Sequence, residues 1–242
     1  MYKCSLERMT DKIKTFSQFG DAGHGGITRY SLSPEAIMAR NEFRKRMEAI
    51  GATIEIDDVA NMYATLPGTD PDAKRIVMAS HCDSVKNGGN YDGILGVLSA
   101  MEVLETVAEL NIPHKHPLTA MIWTNEEGSL YPPAMMCSGI VCYDYLPEDI
   151  RSKFKYEDMM NSKSILDNKS TFGKALEKSG FKGDKKMRDG FIKVAAVTPK
   201  VVVADPVENT IRIKEAVMEA AANGAKVIVC PELCITGYTC GD

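Results

Sequence analysis

The sequence lacks several features that would assign it at once to a functional class. Among its 242 residues, 29 lysines and arginines stand against 33 acidic residues, so the formal net charge is −4. The surplus of basic charge that nucleic-acid-binding domains usually carry is absent, and we expect no nucleic-acid partner. No apolar run approaches the roughly 18 residues that would cross a bilayer, and we therefore expect no membrane association.

The N-terminal residues and the cysteines also lack a recognisable pattern. Residues 1–7 contain no apolar stretch of the kind found in a secretory signal peptide. The seven cysteines are an odd number without the spacing of a disulfide framework, which favours reduced thiols and a cytoplasmic location. The composition, 44% hydrophobic and 26% charged, is typical of a soluble globular chain and argues against disorder.

The distribution of apolar residues predicts an α/β fold. Ser33 is a typical N-cap residue and Pro34 fits the first helical position, so we expect a helix that continues to Ala49. Three extended runs, a long helix with a wide apolar face and a buried strand come next. Their predicted ranges are 53–56, 62–66, 75–80, 94–110 and 119–124. The order strand, helix, strand favours a parallel sheet.

Charge and hydropathy separate the rest of the chain into two parts. In the long helix, Glu102, Glu105 and Glu109 are expected on the wetter face. Residues 143–190 are polar and rich in lysine, and they end in a stretch that is typical of a solvated linker. A new strand–helix–strand pattern then begins. The predicted elements of this second half are a short helix at 171–179, strands at 191–197 and 226–229, and a helix at 209–223.

Polar side chains cluster where two of the predicted strands end. His81 follows the third extended run, and Glu126 and Glu127 follow the buried strand. Asp92 lies in a glycine-rich segment directly before the long helix. Ligands bind at the carboxyl ends of strands in open parallel sheets. Imidazole and carboxylate groups from separate loops form the ligand set expected for zinc or a similar divalent ion.

The adjacent glutamates predict a division of labour. Neighbouring side chains of an extended chain point in opposite directions, so one carboxylate could bind a metal while the other accepts a proton from water. That arrangement suits metal-assisted hydrolysis. The alternative is that His81 and Asp83 form a polar pair at a strand end and that Glu126 and Glu127 lie in a solvated turn. The occurrence of all these residues together favours the metal site.

Three segments that contain these residues resemble the M20 peptidase-type amidases. The segments are 80–85, 88–97 and 123–129. Within that group they are similar to the hydantoinase/carbamoylase branch, which includes N-carbamoyl-amino-acid hydrolases, β-ureidopropionase and allantoate amidohydrolase. Residues 25–29 and 61–64 fit the N-terminal pattern of the same branch.

The resemblance implies a hydrolase of non-peptide carbon–nitrogen bonds that uses two zinc or manganese ions. His81 would bind one ion, Asp92 would bridge both, and Glu127 would bind the other. Glu126 would be the general base, and Asp83 would orient or tune His81. The implied substrate is a small ureido or carbamoyl compound, and the family also implies a homodimer.

Two histidine motifs of that family are missing from the sequence. The family places one histidine in a His-Ile-Glu-Gln-Gly-Pro motif and another near its C-terminus. The remaining histidines here, His24, His114 and His116, all precede Glu126, and the latter two are expected in a surface turn. We therefore expect an incomplete set of metal ligands, weak metal binding and an activity impaired by truncation.

The last part of the chain resembles a second hydrolase family. Residues from about 186 onward are similar to the start of the nitrilase-type (carbon–nitrogen hydrolase) glutaminase domain of glutamine-dependent NAD synthetase. The resemblance implies that Glu232 is the base of a Glu-Lys-Cys triad, whose lysine and cysteine the sequence does not contain. Cys230, Cys234 and Cys240 are expected to be buried free thiols rather than zinc ligands.

These resemblances predict three regions and a main function. The regions are a partial M20-type metal-dependent amidase domain at 1–184, a linker at 185–190 and a partial nitrilase-like domain at 191–242. The predicted α/β fold is thus a partial metallohydrolase α/β/α layer followed by the first β-α-β of a nitrilase-like sandwich. The expected activity is hydrolysis of a carbamoyl or ureido amide. The alternatives are the glutaminase part of an NAD synthetase and a non-catalytic fusion remnant.

Overall fold

The computed structural model describes residues 3–23, 25–186, 194–196, 199–223, 227–230 and 235. The chain divides into two units, Met1–Arg188 and Asp189–Asp242, and each is described by itself. The boundary lies within the predicted linker. The helices of the first unit are α1 Leu6–Ser17, α2 Pro34–Ala49, α3 Ile94–Glu109, α4 Met136–Val141, α5 Glu148–Arg151, α6 Tyr156–Met160 and α7 Phe172–Ser179. Its strands are β1 Thr53–Ile56, β2 Met62–Leu66, β3 Ile76–His81 and β4 Leu118–Trp123.

The first unit is built around a four-stranded sheet in the order β1-β2-β4-β3. Strands β3 and β4 are parallel, with α3 as the connection between them. Strand β2 pairs antiparallel with both β1 and β4. The mixed α/β class is confirmed, but the prediction of a parallel sheet is right only for β3 and β4. Strands β1 and β2 are joined by a short turn, which can connect only antiparallel neighbours.

Two long helices cover the sheet through their apolar residues. Helix α2 begins as predicted, because the Ser33 hydroxyl accepts a hydrogen bond from the Ala36 amide and Pro34 occupies the first turn. Helix α3 packs on β3 and β4 with an apolar face whose inner residues are fully buried. The core side chains shared by these elements include Phe43, Met47, Met62, Leu98, Met101, Leu104 and Ile122.

Helix α1 covers the acidic side of α3 and corrects one prediction. Glu102 and Glu105 are only 3% and 9% exposed, although they were expected on a wetter face. Lys12, which is fully buried, forms ion pairs with both of these carboxylates. Arg8 lies at the edge of the same cluster, where its Nη2 atom forms an ion pair with Oε1 of Glu102 at 2.8 Å. The glutamates can lie inside because two cations from α1 compensate their charge.

The second unit contains a parallel strand–helix–strand arrangement. Its elements are β5 Val194–Ala196, α8 Pro206–Ala222 and β6 Val227–Val229, and the two strands pair in parallel. Helix α8 begins three residues earlier than predicted, because Pro206 fits the first turn and the Asp205 carboxylate accepts a hydrogen bond from the Glu208 amide. The outer residues of the two predicted strands, 191–193, 197 and 226, lie outside the described residues.

Within the described part of the chain, no helix combines the length and the apolar character needed to span a membrane. Among the described cysteines, Cys4, Cys82, Cys137 and Cys142 are free thiols. Cys230 is half-buried, whereas Cys234 and Cys240 lie outside the described residues.

Candidate metal and catalytic site

The carboxyl ends of β3 and β4 meet at one edge of the sheet. In the parallel register His81 lies opposite Trp123, so the last residues of the two strands are neighbours. His81 is itself the last residue of β3 rather than the first residue after it. Glu126 and Glu127 follow β4 by only three and four positions, and the strand pairing therefore brings them to His81.

The His81 ring is oriented by the main chain of Asp83. The Nδ1 atom of His81 lies 3.0 Å from the carbonyl oxygen of Asp83. A carbonyl oxygen can only accept, so Nδ1 carries the hydrogen and the lone pair of Nε2 faces the other way. On that side, Nε2 lies 3.8 Å from an Asp92 oxygen and 3.5 Å from a Glu126 oxygen. The ring thus presents a metal-binding nitrogen to carboxylates.

Gly93 allows the loop that carries Asp92 to pass close to this ring. Its φ angle is +62°, a backbone conformation that residues other than glycine rarely adopt. A Cβ atom at this position would overlap the imidazole of His81. Glycine is therefore needed at the start of α3 for Asp92 to lie beside His81.

The Asp83 carboxylate contacts the main chain of the loop that carries the two glutamates. It is 4% exposed and accepts hydrogen bonds from the amides of Glu126 and Glu127, at 3.4 and 3.2 Å. Its nearest carboxylate oxygen lies 3.9 Å from His81 Nδ1, which is beyond a hydrogen bond. Asp83 therefore orients His81 through its carbonyl group and holds the glutamate loop through its side chain.

An extended chain would direct the two glutamate side chains in opposite directions, but the structure does not show this arrangement. Asn125 has a φ angle of +54°, so the chain turns immediately after β4 and is no longer extended. Glu126 approaches His81, and Glu127 lies in a cluster with His81 and Asp92. Both carboxylates consequently face the same site.

His81, Asp92 and Glu127 fit a divalent cation. One ligand atom from each residue lies within 4.8 Å of the others. Burial and the nearby charge of Asp92 raise the pKa of Glu127 from 4.5 to about 7. Its Oε1 atom is buried and has no hydrogen-bond partner among the described residues. A bound cation would favour the ionised form of this carboxylate.

His114 and His116 do not join this cluster. Nδ1 of His114 contacts the Ile112 carbonyl, and Nδ1 of His116 contacts the Lys74 carbonyl, so both belong to the turn before β4. His24 and Glu232 lie outside the described residues, and the role of Glu232 stays a prediction.

Arg29 supports the site and was not singled out from the sequence. Its side chain is 2% exposed and donates hydrogen bonds to the carbonyls of Cys82, Phe16 and Phe19. It thereby fixes the chain directly after His81. The only signal in the sequence was its position in residues 25–29, a segment that resembles the family.

Comparison with known proteins places the chain in a family. The model of peptidase family M28 matches residues 61–211, which include the predicted ligands and Glu126. The chain belongs to peptidase family M28. The sequence motifs resemble the M20 family, whereas the family model that matches is M28. The assignment to M20 stays a prediction.

Relatives of this M28 chain are amidohydrolases. It is 32% identical over 191 residues to an N-carbamoyl-L-amino-acid amidohydrolase of Rhizobium meliloti, covering 76% of this chain and 42% of the relative. It is 33% identical over 176 residues to an allantoate amidohydrolase of Bacillus subtilis, covering 73% and 42%. The chain thus spans about two fifths of the length of these curated relatives.

Solved structures give the same result for this M28 chain. An amidase of the hydantoinase/carbamoylase family from Burkholderia multivorans superposes with a TM-score of 0.72 at 27% identity, over 87% of this chain and 48% of that one. A family member from Burkholderia ambifaria gives 0.71 at 26% identity, with the same coverage. The similarity to the hydantoinase/carbamoylase branch is therefore confirmed.

The C-terminal residues of the M28 chain match a second family model. The carbon–nitrogen hydrolase family model matches residues 193–242, which overlaps the M28 match and supports the broader resemblance of this part. The more specific link to NAD synthetase stays a prediction.

Proposed function

We propose that this chain carries a divalent-metal site for the hydrolysis of a carbon–nitrogen bond in a small carbamoyl or ureido compound. The observation that carries the proposal is the convergence of His81, Asp92 and Glu127, with ligand atoms within 4.8 Å. The relatives of the chain, an N-carbamoyl-L-amino-acid amidohydrolase and an allantoate amidohydrolase, indicate the substrate class. Hydrolysis of such bonds needs a polarised carbonyl group and an activated water, which the site residues are suited to provide.

His81, Asp92 and Glu127 would hold zinc or manganese. The donor atoms would be Nε2 of His81, a carboxylate oxygen of Asp92 and the buried Oε1 of Glu127, for which the described residues provide no hydrogen-bond partner. When bound, a divalent ion would polarise the carbonyl group of the substrate and lower the pKa of water. The proposal includes a second divalent ion, which Asp92 would help to hold.

Glu126 is proposed as the general base. Its carboxylate lies 3.5 Å from His81 Nε2, which places it beside the ligand cluster without making it a member of the three-residue set. It would accept a proton from the attacking water and deliver that proton to the nitrogen of the leaving group. Asp83 would hold Glu126 in place through the main-chain amide.

The proposal is tested with the full chain by measuring ammonia release from N-carbamoyl amino acids in the presence of zinc or manganese. We expect metal-dependent turnover that chelation abolishes. Glu126→Gln should retain metal binding but lose a factor of about 10²–10⁴ in turnover, the usual contribution of a general base. Glu48→Gln is the matched control, because Glu48 is exposed on α2.

Two results would overturn the proposal. The first is turnover in Glu126→Gln that equals the turnover of the unmodified chain. The second is an absence of metal-dependent turnover in the unmodified chain, which would favour the alternative of a non-catalytic protein.

A further inference from the structure

A buried polar cluster lies directly behind the strand end that leads to the glutamates. Asp57, Asn61 and Thr124 are each 0% exposed. We propose that Asp57 and Asn61 are positioning residues that lock the end of β4 and thereby hold Glu126 and Glu127 in the geometry of the metal site. The part of this inference that concerns catalysis rests on the proposed function.

The hydrogen bonds of Asn61 connect Asp57 to the main chain of β4. The Asn61 Nδ2 atom donates to the Asp57 carboxylate at 2.8 Å, and the Asn61 Oδ1 atom accepts from the Thr124 amide at 2.9 Å. Asp57 also accepts hydrogen bonds from the amides of Val59 and Asn61 and from the Tyr63 hydroxyl. Since every group around this carboxylate donates, Asp57 forces the amide oxygen of Asn61 toward Thr124.

Thr124 needs such a partner because the sheet ends before it. The pairing of β4 with β2 ends at Ile122 and its pairing with β3 ends at Trp123, so neither of these two described strands pairs with the buried Thr124. A buried amide without a hydrogen bond is strongly unfavourable. Asn61 directly precedes β2, and its side-chain oxygen accepts the hydrogen bond of the Thr124 amide in place of a main-chain carbonyl.

Arg40 fixes the side chain of the same threonine. Its guanidinium donates to the Thr124 hydroxyl at 2.6 Å and to the Ala60 carbonyl at 2.7 Å. The Thr124 hydroxyl in turn donates to the Ala60 carbonyl at 2.7 Å. Ala60 has a φ angle of +67°, a strained conformation that the surrounding hydrogen bonds must maintain. Both the main chain and the side chain of Thr124 are therefore held, two positions before Glu126.

The positioning role is tested by exchanging the two side chains. Asn61→Asp places two carboxylates together and removes the donor to Asp57. In the double variant Asp57→Asn/Asn61→Asp, the new amide at 57 can donate to the new carboxylate at 61, which can still accept from the Thr124 amide. The matched control is Asn111→Asp, which makes the same charge change at an exposed position.

Zinc affinity is measured by calorimetry, and amide hydrogen exchange over residues 118–128 is measured on the metal-free chain. We expect Asn61→Asp to lose at least about tenfold in zinc affinity, as for other residues that orient metal ligands. Exchange over the segment should become faster. The double variant should recover both properties, and Asn111→Asp should change neither. If Asn61→Asp does not fold, Asn61→Ser, which removes the bridge without a second carboxylate, takes its place.

Unchanged zinc affinity and exchange in the folded single variant would overturn the positioning role, as would a folded double variant that recovers neither property. The two readouts separate this inference from the proposed function. An unmodified chain that binds no zinc would refute the proposed metal site. The exchange measurement would still decide whether Asp57 and Asn61 lock the end of β4.

Discussion

Replacement of Glu102 by glutamine tests whether the buried charge cluster between α1 and α3 stabilises the first unit. Burial alone would raise the pKa of Glu102, but hydrogen bonds from Arg8 and Lys12 outweigh it and lower the pKa from 4.5 to about 2. Glutamine has nearly the same shape as the protonated acid and removes the charge. The variant therefore isolates what the ionised carboxylate contributes.

The expected loss follows from the difference in pKa between the unfolded and the folded chain. One pH unit corresponds to about 1.4 kcal/mol, so a decrease from 4.5 to about 2 amounts to about 3 kcal/mol at neutral pH. Because the folded-state pKa is the lower one, this stabilisation is complete above about pH 4.5 and is lost as the pH falls toward 2. At pH 3 the difference between the two proteins should fall to about half its neutral value.

Urea unfolding followed by tryptophan fluorescence measures this difference. The single tryptophan of the sequence, Trp123, is the last residue of β4, so its emission reports on the first unit. Glu48→Gln, on the exposed face of α2, should leave the free energy of unfolding unchanged. A loss below about 1 kcal/mol for Glu102→Gln at pH 7, or a loss of equal size at pH 7 and pH 3, would refute the reasoning.

Two further substitutions test how the site is held. Gly93→Ala should reduce zinc affinity at least about tenfold in calorimetry, because the new methyl group would overlap the His81 ring. Gly89→Ala, whose Cβ would meet no atom within 4 Å, should leave the affinity unchanged, and equal losses would contradict the steric argument. Arg29→Met should destabilise the first unit by about 3 kcal/mol in urea unfolding, because the buried carbonyl of Cys82 and two others lose their donor. A loss below about 1 kcal/mol would show that these carbonyls find other partners.

Local sequence signals predict the elements that depend on local interactions. Strands β1 and β2 have the predicted bounds, because their apolar runs are interrupted by residues typical of turns. Helix α2 begins where Ser33 and Pro34 place it. Helix α1 is not predicted, because its Lys12 is buried only through Glu102 and Glu105, which lie about 90 positions further along the chain.

The candidate site shows the same limit. His81, Asp92 and Glu127 lie close together in the structure. This proximity is predictable from the sequence, because two of these residues lie at strand ends and the third lies in the loop before a helix. The directions of individual groups are not predictable in this way. The positive φ angle of Asn125 turns both glutamates to one side, and the Asp83 carboxylate binds main-chain amides that belong to another loop.

His81 and Asp92 lie in the crossover from β3 through α3 to β4, and Glu127, the third proposed metal ligand, follows β4 by four positions. Forming this site therefore requires the closure of one loop between parallel strands, a slow type of contact because chain entropy must be lost before the strands can pair. The ligands come together when β4 docks beside β3, whichever order the remaining elements follow. The rate at which metal binding appears during refolding would therefore report the rate at which β3 and β4 pair.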